Sequence, residues 1–72
     1  MRYARQLRED KHLSLRDVEE QTKIDHSVIS KFERGETGLT LDNLMILADF
    51  YGCTIDALVA EVEPARAQQE AS

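Results

Sequence analysis

The sequence holds one cysteine, one proline and three glycines in 72 residues, and it has no long hydrophobic run. A single cysteine cannot close an internal disulfide, which excludes a stapled secreted scaffold. The two histidines and the cysteine lack metal-ligand spacing, so neither structural zinc nor any other metal or cofactor is expected. No apolar stretch approaches the roughly 20 residues that span a bilayer, so no membrane contact is expected. The N-terminal MRYARQLRED is charged rather than signal-like, and a cytoplasmic location is the expectation. Strand signals are missing as well, with no sustained period-two alternation and no Asn-Gly or Asp-Gly hairpin turn.

What is present suits a small soluble domain: 42% hydrophobic and 32% charged residues. Below about 70–80 residues a core rarely supplies more than roughly 3–5 kcal/mol unaided, so oligomerisation is expected to contribute. So short a chain has little room for an enclosed catalytic pocket or a ligand-binding domain. No Ser/His/Asp, Cys/His or paired-carboxylate arrangement can be placed around a pocket, and no phosphate-cradling glycine loop occurs. Binding rather than catalysis is the expectation, and no small-molecule ligand is expected. The net charge of −5 is unevenly spread: residues 1–36 hold eight bases and eight acids, whereas residues 37–72 hold Arg66 against six acids. A surface that meets a polyanion belongs to the first half.

Helical segments follow one another with very short breaks. Arg2 to Lys11 reads as a first helix, with Ala4 and Leu7 on its inner side. Ser14 is a good N-cap, and Asp17 three residues on resembles a capping box, so a second helix runs from Leu15 to Thr22 and buries Leu15 or Val18. After the break at Lys23-Ile24, Asp25 caps a third helix from His26 to Arg34, with Val28, Ile29 and Phe32 as its apolar stripe and Gly35 as its stop. Thr40 caps a fourth from Leu41 to Tyr51, ended by Gly52. Thr54 caps a fifth from Ile55 to about Val62. Pro64 closes the packed part, giving a domain over residues 1–63 and a tail over 64–72, either frayed helix or disordered.

Two short helices joined by about three residues suggest a helix-turn-helix. Leu13-Ser14-Leu15, Val18, Thr22, Ile24, ISKFERG at residues 29–35, then Leu41, Leu44, Leu47-Ala48, Gly52 and Leu58 together resemble the Cro/C1-type helix-turn-helix family over roughly residues 2–60. That resemblance implies an all-α, five-helix, lambda-repressor-like DNA-binding domain. The Leu15–Thr22 helix would lie across the DNA backbone with its N-terminal amides toward a phosphate, and the third helix would enter the major groove N-terminus first. His26, Ser27, Ser30 and Lys31 would read bases, Lys31 as a donor to guanine O6 and N7. Val28 would either touch a thymine methyl or pack. Ser14, Arg16, Lys23 and Arg34 would hold the DNA backbone and set register. Arg8 and Glu33 would form an inter-helix ion pair with a structural role.

The chain also departs from the family pattern. Leu15 stands where a phosphate-contacting glutamine is usual, and Glu19 where a small alanine lets the two helices approach, so Glu19 must turn outward or spread the pair. Lys23 and His12 replace glycines; if those positions keep positive φ, each costs on the order of 1 kcal/mol. Glu36 would repel phosphate in a loop that often carries a base. With a pI of about 4.9, one copy should bind weakly, and two copies on a palindrome would double the contacts.

Dimerisation is therefore expected, and the fourth helix, apolar nearly all round, suggests where. Leu41, Leu44, Ala48 and Tyr51 read as one face, with Ile46 and Phe50 roughly opposite. Either the fifth helix covers that second face within the chain, or Ile46 and Phe50 with Leu58, Val59 and Val62 form a twofold interface. Cys53 packs as a small hydrophobe. The leading expectation is a homodimeric transcriptional regulator, a repressor on a palindromic operator in double-stranded DNA. The alternative is an antitoxin or adaptor whose acidic C-terminal half binds another protein, and control by a regulatory protein partner fits either.

Overall fold

Four short oxygen-bearing side chains decide where helices start. A computed structural model describes residues 1–61, and the helices there are α1 (Tyr3–Asp10), α2 (Leu15–Thr22), α3 (His26–Glu33), α4 (Leu41–Tyr51) and α5 (Ile55–Val59). The Ser14 hydroxyl accepts from the Asp17 amide while the Ser14 amide donates to the Asp17 carboxylate, a complete capping box. Asp25, Thr40 and Thr54 cap α3, α4 and α5 through the amides of Ser27, Asn43 and Ala57. α1 opens on Arg2, with no side-chain cap.

The bend between helices is taken by left-handed residues. Gly52 ends α4 at φ 72°, but Lys23 ends α2 at φ 66° and His12 lies between α1 and α2 at φ 58°. Both non-glycine residues therefore carry the strain foreseen for them.

The core is one cluster to which every helix contributes: Ala4 from α1, Val18 from α2, Ile29 and Phe32 from α3, Leu47, Ala48 and Tyr51 from α4, and Leu58 from α5. α2 packs most extensively on α3, and α5 on α1 and α4. Val18 rather than Leu15 is the fully buried residue of α2, with Leu15 half-buried. Thr22, the buried end of α2, satisfies its hydroxyl by donating to the Val18 carbonyl at 2.7 Å. Cys53 packs against this cluster, and burial pushes its thiol above the ordinary range, which suits a packing residue.

Several expectations need correction. Leu58 is fully buried against α1 and α4, so it has no surface to offer a second copy. The inner row of α4 is Leu44, Leu47, Ala48 and Tyr51; Leu41, expected inside, is 65% exposed. The third helix stops at Glu33, with Arg34 as its cap. The fifth stops at Val59 because Ala60 turns extended: its carbonyl accepts from the Tyr3 amide at 2.8 Å, and Glu61 bridges to Arg2. The Arg2 amide donates in turn to the Glu33 carbonyl at 2.7 Å, and its guanidinium lies over the Phe32 ring. The chain start is thus sewn between the end of α3 and the segment after α5, pairing that outweighs one more turn of helix. Val62 and the tail 64–72 lie outside the described residues. Among the described residues no helix is long and apolar enough to cross a membrane.

Candidate nucleic-acid interface

α2 and α3 are eight residues each and are separated by Lys23, Ile24 and Asp25. Ile24 is buried and pins the turn, while Lys23 and Asp25 face solvent. At about 1.5 Å per residue α3 is roughly 12 Å long, comparable to the width of a major groove. Its buried side is Ile29, Phe32 and Glu33. The other side carries Ser27, Val28 and Lys31, all exposed, with His26 and Ser30 half-exposed. Val28 is an exposed residue rather than a core one, so the apolar stripe of α3 narrows to Ile29 and Phe32.

Beneath this face lies an ion pair that orients α3 on α1. Arg8 donates through Nε and Nη2 to the two carboxylate oxygens of Glu33 at 2.8 and 3.0 Å, and through Nη1 to the Leu13 carbonyl at 2.9 Å. Glu33 is buried and Arg8 nearly so. The hydrogen bond to Glu33 pushes the Arg8 guanidinium above its usual value. Tyr51 of α4 lies close to the same pair. Burial first, then the Glu33 charge, push its phenol up to about 12, and its hydroxyl is buried without a hydrogen-bond partner.

The polar groups on the outer face are largely engaged within the chain. Arg34 donates to Glu36 at 2.6 Å and to the Ser30 hydroxyl at 2.8 Å. This pairing raises the Arg34 guanidinium and lowers the Glu36 carboxyl relative to their usual ranges. Asp25 accepts from both the amide and the hydroxyl of Ser27, which hold its carboxyl below the usual range. His26 Nδ1 lies 3.1 Å from a Glu19 carboxylate oxygen, so Glu19 turns outward across the turn rather than between the helices. Arg16, Lys23 and Lys31 are exposed and make no ion pair among the described residues. Ser14 keeps its hydroxyl hydrogen, since its oxygen acts as the cap acceptor.

Some of this site was invisible in the sequence. Glu36 appeared there only as a repulsive charge, whereas it neutralises Arg34. Glu19, Asp25 and His26 bring three possible ligand atoms within 4.8 Å of one another, though their spacing announces no such cluster. Arg5 joins Arg8, Leu15, Ser30, Glu33 and Arg34 around an open cleft of about 200 Å³ on the same side of the molecule. The signal was available only as basic residues at i, i+3 along the first helix.

The matches to known proteins fall on this region. A family model described as helix-turn-helix matches residues 5–58. The sequence is 37% identical over 59 residues to a protein of Deinococcus deserti named HTH-type transcriptional regulator DdrOP3. That alignment covers 82% of this chain and 46% of the relative, so the chain spans about half the length of the protein it matches. No solved structure matches the chain. With the two helices, their three-residue turn and the family match over most of its length, this chain belongs to the Cro/C1-type helix-turn-helix DNA-binding family.

Proposed function

We propose that this chain is a sequence-specific regulator that binds double-stranded DNA as a homodimer and represses by occupying a palindromic operator. The observation that carries this reading is the outward row of α3, across a three-residue turn from α2, where Lys31 is exposed without an ion pair among the described residues, Ser27 is exposed, and His26 and Ser30 are half-exposed beside their partners within the chain. His26, Ser27, Ser30 and Lys31 read base edges, with Lys31 suited to guanine. Ser14, Arg16, Lys23 and Arg34 hold phosphates, Arg34 only by exchanging Glu36 for one. With so few unpaired cations, a single copy grips DNA weakly and a second copy supplies the rest.

The second copy is placed on the outer side of α4. There Leu41 and Met45 are 65% and 54% exposed and Ile46 is 42% exposed, with Phe50 and Val59 half-buried beside the core. At about 100° per residue Leu41 and Met45 form one apolar flank and Ile46 and Phe50 another, with Asp42 and Asp49 between them. A twofold contact through the Ile46–Phe50 flank keeps the two sets of acids from facing each other.

The test is selection of bound duplexes from a random library at moderate salt, beside the sedimentation behaviour of the free protein. Enrichment of a palindrome with half-sites about one helical turn apart is the expected result. A monomer that enriches nothing at micromolar concentration would replace this reading by the adaptor, with the acidic C-terminal half as its docking side.

A further inference from the structure

We propose that Glu19 is a specificity-positioning residue: it holds His26 Nδ1 so that Nε2 is the ring atom offered to DNA, as an acceptor for the exocyclic amine of adenine or cytosine. The inference rests on the DNA-reading function proposed above and names the base chemistry at one of its positions.

A neutral imidazole has one N–H donor and one acceptor nitrogen, and its neighbours decide which is which. Glu19 Oε1 lies 3.1 Å from His26 Nδ1. A carboxylate only accepts, so the hydrogen of the neutral ring sits on Nδ1 and the lone pair on Nε2. The other carboxylate near this nitrogen, Asp25, is 4.0 Å away and already receives the Ser27 amide and hydroxyl as the cap of α3. Glu19 is therefore the group that sets the tautomer. Nε2 has no hydrogen-bond partner among the described residues, and the two side chains are 37% and 35% exposed, enough for a ligand to reach the ring. His26 is the first residue of α3, the end that enters the groove.

The major groove turns this tautomer into discrimination. Adenine N6 and cytosine N4 are its amine donors, whereas guanine O6 and N7 and thymine O4 are acceptors. An Nε2 lone pair is matched by adenine or cytosine and opposed by the acceptors. The opposite tautomer would instead donate, favouring guanine and thymine and excluding cytosine, with adenine met only through its N7 acceptor. Glu19 stands where the family usually carries a small alanine, so this device comes from a departure of this chain.

Two measurements decide it. Nitrogen-15 NMR of the free protein at about pH 8.5, on the alkaline side of the imidazole range, should show His26 with its hydrogen on Nδ1, shifting toward the other tautomer in Glu19→Ala. Duplex selection at the same pH should give adenine or cytosine at one position per half-site. That preference, roughly 2–10-fold for one hydrogen bond, should vanish in His26→Ala and be lost or reversed in Glu19→Ala. Glu19→Gln, whose amide oxygen still accepts, should retain it. A wild-type ring with its hydrogen on Nε2, a guanine or thymine preference, or an operator unchanged by Glu19→Ala would each overturn the inference. Wherever an operator is still recovered beside one of these results, the regulator reading stands. Recovery of no operator from folded protein sinks both together.

Discussion

Acids and bases are used differently in the two halves of this domain. From α1 through α3 and the loop after it, cations and anions meet in short contacts: Arg8 with Glu33, Arg34 with Glu36, His26 with Glu19. Along α4 and α5 the acids Asp42, Asp49 and Asp56 form no ion pair among the described residues, and exposed Leu41, Met45 and Ile46 stand among them. In the first region the pairing ties α3 to α1 and engages part of its outer row, leaving Lys31 exposed. The second carries uncompensated negative charge with exposed apolar residues set among it.

The sharpest way to break this contrast is to remove one partner of the Arg8–Glu33 pair. Arg8→Met alone leaves a buried carboxylate unpaired and should cost about 3–5 kcal/mol, comparable to the whole stability of so small a core. Urea denaturation should show it largely unfolded, with Arg8→Met combined with Glu33→Leu regaining most of the loss. A single variant as stable as the wild type would show that the pair does not hold α3.

Tyr51 links the two halves, since it belongs to α4 yet lies beside that pair. Its phenol is pushed up to about 12 in the folded chain, against about 10 unfolded. A raised folded value means the contribution is fully present below pH about 10 and is lost as pH rises toward about 12. Stability should fall by about 2–3 kcal/mol across that window through this residue. The difference between wild-type and Tyr51→Phe melting curves isolates it, and parallel curves would refute it.

Lys23→Gly sharpens the contrast by separating fold from grip. Relief of the left-handed backbone at φ 66° should stabilise the domain by up to about 1 kcal/mol. Loss of an exposed cation should at the same time lower the salt dependence of DNA binding by about one counterion. Stability and affinity therefore move in opposite directions, as thermal melts and binding isotherms at several salt concentrations would show.

The smallest effect is expected at Glu36. Glu36→Gln frees Arg34 from a 2.6 Å ion pair and removes a charge that repels phosphate. Both sides of that pair are exposed, so the gain should be about 2–5-fold in DNA affinity. The gain should disappear when Arg34→Gln is added, and persistence in the double variant would assign it to general repulsion instead.

The parts legible in the sequence were those governed by a few neighbouring residues. Ser14, Asp25, Thr40 and Thr54 announce helix starts because a short side-chain oxygen reaches an amide two or three positions on. The same local logic found Gly52 as a stop, whereas the strain at Lys23 and His12 came from the family resemblance, in which they replace glycines. The Arg8–Glu33 pair, 25 positions apart, came from the family resemblance. Leu41 was misplaced because a helix that is apolar nearly all round has no periodic signal to say which face turns inward, and Leu58 because α5 turns it onto α1 and α4 rather than outward. The short fifth helix was overextended because its end is set by pairing with the chain start.

By itself, then, the sequence determined the number of helices, their order and the three-residue turn that makes the motif, since caps and breaks act within one turn of chain. Only the tertiary structure decided which outward polar groups are engaged within the chain. Glu19 on His26 and Arg2 beside Glu61 are meetings across a turn and between distant segments, set by how the helices pack, and Glu36 on Arg34 is set by the course of the loop after α3; no linear spacing records any of them.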